Sequence, residues 1–225
     1  MKKSISYFFM LCFFSCFAQT EALLPVEKNH LKLFIGVGSS FNKDYNFNSF
    51  LEKNGIIKLS QFDINFLTGL NYYDDYVDID LGYEMFAIGT SNDETTNRIL
   101  SNGVKLRAQY ILFSREKFAF GAGFNIGYAK KNLSLYWKNY EVDFDNLPEG
   151  INGNELSMYL EKGFLGPSIC FKGKGWGRNF QQTKITLAYE FALNNKAWES
   201  DTFKLKNQIK EPNTQQLVLN VIFGL

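Results

Sequence analysis

The chain has 225 residues, 24 basic against 23 acidic, and is rich in Phe (23) and Tyr (12). That length suits one domain, and a formal charge of +1 leaves no basic stripe for nucleic acid. Of its three cysteines, Cys12 and Cys16 sit at the extreme N-terminus, which excludes a disulfide-stapled scaffold.

The chain opens Met1-Lys2-Lys3, continues as an apolar run over 5–17, and reaches Ser15-Cys16-Phe17-Ala18-Gln19. A basic start, a short apolar stretch and a small residue are the parts of a signal peptide, here 1–18 with cleavage after Ala18. The run is shorter than the roughly 20 residues of a membrane-spanning helix. A lipoprotein signal acylated at Cys16 is the alternative, but Phe13-Phe14-Ser15 lacks the usual Leu and small-residue pattern. Losing Lys2 and Lys3 brings the formal charge to −1, and Cys170 is the cysteine that stays.

Beyond the leader the dominant period is two, the mark of strands with unlike faces. Leu31, Leu33, Ile35 and Val37 begin it. Phe62, Ile64, Phe66, Thr68, Leu70 and Tyr72 alternate with Asp63, Asn65 and Asn71. Val77, Ile79, Leu81, Tyr83 and Met85 alternate with Asp78, Asp80 and Glu84, and Val104, Leu106, Ala108 and Tyr110 with Lys105 and Arg107. Phe118, Phe120, Phe124, Ile126 and Tyr128 form a fifth strand. A sixth, over 155–171, has Lys162 in phase with Leu156, Met158 and Leu160 and is interrupted by Pro167; a bulge near Gly163 would re-phase it. Ile185, Leu187, Tyr189 and Phe191, alternating with Lys184 and Glu190, make a seventh, and Leu217, Leu219, Val221, Phe223 and Leu225 an eighth.

Tight turns at 73–76 and 114–117 and a moderate one at 173–181 alternate with long polar segments at 41–58, 89–102, 130–154 and 194–214. That is the wiring of an all-β, eight-stranded antiparallel up-and-down transmembrane β-barrel, with short periplasmic turns and four long extracellular loops. A lipocalin-like calyx shares the strand number but points its apolar set inward. So many Phe, Tyr and Leu side chains would overfill so narrow an interior, whereas the opposite face offers Gly36, Gly38, Gly69, Gly82, Gly121, Gly123 and Gly127 among its charges. Tyr72, Tyr73, Tyr76, Phe113, Phe118 and Trp176 fit an aromatic girdle at the periplasmic boundary.

On these features the chain resembles the small outer-membrane barrels typified by OmpA, OmpX and OmpW. More loosely, Phe17-Ala18-Gln19 is similar to the signal-peptide end of many Bacteroidota barrel proteins. The resemblance implies a location in the outer membrane, termini in the periplasm, a lead-in over 19–29 and a barrel over 30–225. It also implies that the last strand engages the barrel insertion machinery, although Leu225 stands where such barrels usually end in Phe.

Asp63, Asp78, Asp80, Glu84 and Glu190 share the inner face with Lys32, Lys105, Arg107 and Lys184, which predicts a buried ion-pair ladder. Counting from the turns places Asp63 near Glu84, and Glu84 near Lys105 or Arg107. Paired carboxylates could also serve as acid and base, but that needs a substrate path. His30 and Cys170 have no companions that would complete a metal or nucleophile set, and no cofactor motif is present. Tyr136, Trp137, Tyr140, Trp198 and Phe203, set among Lys and Asn in the long segments, are candidate contacts; the segment around Tyr136 would equally serve to prolong the fifth strand as a hairpin. These features point to a non-enzymatic barrel whose partners are membrane lipid and other outer-membrane or extracellular proteins. A narrow channel for ions or small apolar molecules is the first alternative, and a lipid-modifying enzyme a weaker one.

Overall fold

The period-two segments form eight strands in the computed structural model, which describes residues 31–115, 117–138, 155–174, 182–202, 204–206, 208–211 and 214–224. They are β1 (Leu31–Asn42), β2 (Phe62–Tyr73), β3 (Val77–Ser91), β4 (Thr95–Ser114), β5 (Phe118–Trp137), β6 (Glu155–Lys174), β7 (Gln182–Ala192) and β8 (Gln215–Gly224). A helix, α1 (Asn46–Lys53), lies between β1 and β2. Every strand pairs antiparallel with its sequence neighbours, and β8 closes on β1. The signal peptide over 1–18, the lead-in over 19–29, His30 and Trp176 lie outside the described residues.

The two faces are sorted as lipid requires. On β2, Phe62, Ile64, Phe66, Leu70 and Tyr72 point outward, Phe66 being 61% exposed, while Asp63, Asn65 and Asn71 are buried. The same outward row recurs as Leu31, Leu33, Ile35 and Val37 on β1, Leu81, Tyr83 and Met85 on β3, and Ile185, Leu187, Tyr189 and Phe191 on β7. A water-soluble calyx would show the inverse, so that alternative is set aside. Closure pairs the backbone along the belt, the condition for crossing lipid with strands, and the molecule is a transmembrane barrel. At one end short turns close β2 to β3 and β4 to β5 through Asp74 N to Val77 O (2.9 Å) and Arg115 N to Phe118 O (2.8 Å). Phe113, Phe118 and Phe171 lie in a row there, with neighbouring ring centroids 5.6 Å apart.

Two expectations are corrected. The polar segment 89–102 is not a loop: β3 runs to Ser91 and β4 starts at Thr95, so both strands simply continue. Its outward positions, such as Ser91 and Arg98, have left the lipid, while Thr95, Asn97 and Ser101 are buried on the inner face beside Ile99. No bulge re-phases β6 either. Its register with β5 is unbroken from Glu155 to Gly173, and Lys162 points inward with Leu160 and Phe164. The shift that does occur lies between β4 and β5, at Ile111/Phe113.

A strand of about 9 to 11 residues crosses a bilayer; β4, β5 and β6 each have 20. On β5 the outward row changes from Phe124, Ile126 and Tyr128 to Lys130, Asn132 and Ser134, which marks where the strand leaves the belt. The upper halves of β3 to β6 therefore stand above the membrane as a four-stranded wall.

Candidate functional site

Inside the belt the lumen is filled by two charge-balanced levels. Nearest the short turns, Lys184 Nζ sits 2.7 Å from Asp78 and 2.6 Å from Asp80, and Lys172 Nζ 2.9 Å from Asp78. Asn71 donates to both acids at 2.8 Å. Lys172 also lies 3.3 Å above the Tyr73 ring, so Tyr73 joins the lumen rather than the girdle. An apolar group, Phe34, Leu67 and Ile222, fills more of the interior.

In the next level Lys105 Nζ bridges Glu84 at 3.1 Å and Glu190 at 3.0 Å, and Arg107 pairs with Glu84. Asn125 and Gln216 donate to Glu190 at 2.9 and 2.6 Å. Each level sets two acids against two bases, which offsets the cost of holding charge away from water. Of the nine acids and bases foreseen for this face, Asp63, Asp78, Asp80, Glu84, Glu190, Lys105, Arg107 and Lys184 are in buried ion pairs in the lumen, and Glu84 meets both Lys105 and Arg107. Asp63 does not approach Glu84: the residue opposite Glu84 on β2 is Leu67. Lys32, also assigned to this face, is half-buried on β1.

Asp63 belongs to a third level, beneath the extracellular mouth. Lys131 Nζ donates to Asp63 at 3.2 Å and to the Tyr45 hydroxyl at 2.7 Å, and Asn42 donates to Asp63 at 2.7 Å. Lys162 donates to the backbone carbonyl of Glu211 at 3.2 Å. Sequence reasoning missed Lys131, Lys162 and Lys172. Each stands on the inner face of a strand, and for Lys131 and Lys162 the signal was their phase with Leu133, Leu135 and Leu160.

Above this level the inner face turns apolar. Phe86, Ile99, Leu133, Leu135, Met158 and Leu160 line a cup filled by Tyr45, Phe47, Leu51, Ile56, Leu59 and Trp198 from the first and fourth loops. One carboxylate ties the loops together: Glu211 accepts from Asn46 N (2.8 Å), Phe47 N (3.0 Å) and Trp198 Nε1 (3.0 Å). Tyr45, the residue before α1, supplies no side-chain cap, so Glu211 serves the positive end of the helix from the opposite loop. Burial pushes the Tyr45 phenol above its ordinary pKa, while Lys131 pulls it back.

Trp198 is therefore a core residue, 1% exposed, and not the surface contact its setting among Lys and Asn suggested. Tyr136 is half-buried and Trp137 is 42% exposed at the tip of β5; Tyr140 and Phe203 lie outside the described residues. Two small cavities lie among these levels. One of about 40 Å³ lies between the second and third levels, lined by Ser40, Asn65, Glu84, Lys105 and Lys131. Another of about 10 Å³ lies beneath Tyr45. They have room for a few waters.

No family model and no curated protein matches the chain. Among solved structures it is similar to Ail, the attachment invasion locus protein of Yersinia pestis, with 11% identity, 87% of this chain and 97% of that one covered, and a TM-score of 0.45. It is also similar to Neisserial surface protein A (8%, 88% and 98%, 0.43) and to the N-terminal β-barrel domain of Pseudomonas aeruginosa OprF (11%, 87% and 98%, 0.37).

Proposed function

We propose that this outer-membrane β-barrel acts through contacts made by its extracellular half, as a subunit of a surface assembly or as a surface binding protein, and neither transports nor catalyses. The observation that carries this reading is a lumen filled at three levels and capped by Trp198 and α1, beneath a wall of strands that continues about as far again as the lipid requires. The acids that could serve catalysis are engaged by lysine, arginine and asparagine donors, and Asp78 and Glu190 are both fully buried. Cys170 is also buried.

Planar-bilayer recording of the purified protein tests the reading against a narrow channel. The expected result is an unbroken baseline for the wild type and for Glu84→Gln. Discrete conductance steps in the wild type that Glu84→Gln or Lys105→Met alters would overturn it in favour of the channel. Extraction in mild detergent, followed by analysis of co-purifying proteins, then separates an assembly subunit from a free-standing binder.

A further inference from the structure

The wall above the membrane has an open edge along upper β3. β2 and β3 pair from Tyr73↔Asp78 up to Phe66↔Met85 and then part. Above that point residues 62–65 of β2 stay with β1, through Asp63↔Ser40 and its neighbours, while residues 86–91 of β3 stay with β4, from Phe86↔Ser101 to Ser91↔Thr96.

The direction of the freed backbone groups follows from the ladder. Asn92 N donates to Thr95 O, so in an antiparallel pair the even residues of upper β3 bond to β4 and the odd ones face away. The N–H and C=O groups of Ala87, Gly89 and Ser91 therefore point into the seam, and no described residue accepts from or donates to them. On the β2 side of the same seam, the Ser60 hydroxyl bonds both the carbonyl (2.7 Å) and the N–H (3.0 Å) of Phe62.

Exposed edges are normally blunted by charge, proline or a bulge. Residues 86–91 have none of these, and the outward side chains are Ala, Gly and Ser, all exposed. At about 3.3 Å per residue the edge offers roughly 20 Å. A Cβ added at Gly89, on the outer face of the strand, would meet only Asn97 O, at 3.5 Å.

We propose that this edge is a strand-addition site which takes an extended, uncharged-to-acidic segment of another extracellular protein. This rests on the reading that the extracellular half works by contact, and it names where and by what chemistry. The neighbours on β4 set the pattern of the partner. Exposed Leu100 lies opposite Ala87 and exposed Arg98 opposite Gly89, and both can be reached across such small residues. A partner strand that puts an apolar side chain against Ala87 and a carboxylate against Gly89 gains an apolar contact and an ion pair beyond the main-chain bonds.

The test uses the full-length protein in detergent micelles and a capped seven-residue peptide alternating Thr and Val with one central Glu. In the free protein the amides of Ala87, Gly89 and Ser91 should exchange quickly while those of Ile88 and Thr90 are protected; the peptide should slow the first three. Gly89→Pro removes only a seam-facing N–H and should weaken binding roughly ten-fold, with a heat-modifiable gel band showing that the barrel has formed. Arg98→Glu, on exposed surface, should reverse the preference between this peptide and its counterpart with Lys in place of Glu. Protection of the three amides before peptide is added, or equal binding by wild type and Gly89→Pro together with no charge reversal in Arg98→Glu, would overturn the proposal. Bilayer recording is blind to this edge, so failure here and failure of the contact reading are told apart.

Discussion

Removing the Glu211 carboxylate should open the cap without disturbing the barrel. Glu211→Ala deletes the acceptor shared by Asn46 N, Phe47 N and Trp198 Nε1, at 2.8, 3.0 and 3.0 Å. A hydrogen bond to a charged group contributes about 1.5 to 3 kcal/mol net. Three bonds on one carboxylate are not additive, so a combined loss of about 3 to 4 kcal/mol is the working figure. That raises the ratio of open to closed cap by roughly two to three orders of magnitude. Glu211→Gln keeps an acceptor oxygen and should fall between wild type and alanine. Amide exchange at Phe47 and Leu51 reads the opening directly. Iodide quenching of Trp198, in a background carrying Trp137→Phe and Trp176→Phe, reads it independently. The heat-modified band should persist in both variants, because the barrel ladders do not depend on the loops. Unchanged exchange in Glu211→Ala would refute the latch and leave apolar packing as what holds the cap.

Asp78→Asn should be among the most damaging single changes in the membrane half. It leaves Lys172 and Lys184 with one carboxylate fewer between them, a loss of about 3 to 5 kcal/mol, read as a lower urea midpoint in lipid vesicles; adding Lys184→Met should restore much of it. The cap should also loosen in alkali. Burial raises the Tyr45 pKa in the folded protein, so above pH 10 the unfolded or opened form releases this proton first, and stability present below that pH is lost as pH rises. Trp198 quenching followed from pH 9 to 12 should show the loosening in wild type and a flatter response in Tyr45→Phe.

The barrel was legible because period two is a local signal: a residue such as Asp80 between Ile79 and Leu81 declares its face without knowledge of its partners. The lumen acids were legible for the same reason, but their pairings were not. Strand neighbours follow from counting around turns, whereas Lys184 on β7 reaches Asp78 and Asp80 on β3 across the lumen, which no count along adjacent strands reveals. The segment 89–102 was misread because polarity stands for a loop only while the strand is inside lipid. Trp198 was misread because a loop tryptophan among polar neighbours gives no sign that another loop supplies its carboxylate partner.

The inner face of β5 changes character along its length: Asn125 serves the charged level around Glu190, Lys131 closes the mouth, and Leu133 and Leu135 line the apolar cup. Below Lys131 lipid supplies the apolar surroundings and the polar groups must go inside. Above it water supplies the polar surroundings, and the same strand buries leucine in the ordinary way. The molecule is thus a small water-facing domain built from the upper halves of membrane strands, with its own core of Trp198, Leu51 and Leu133. The two halves answer to opposite solvents and meet at a single level, Asp63 with Lys131 and Lys162, so substitutions in the cap or on the exposed wall can alter what the surface binds while the ion-pair levels and the lipid belt stay as they are.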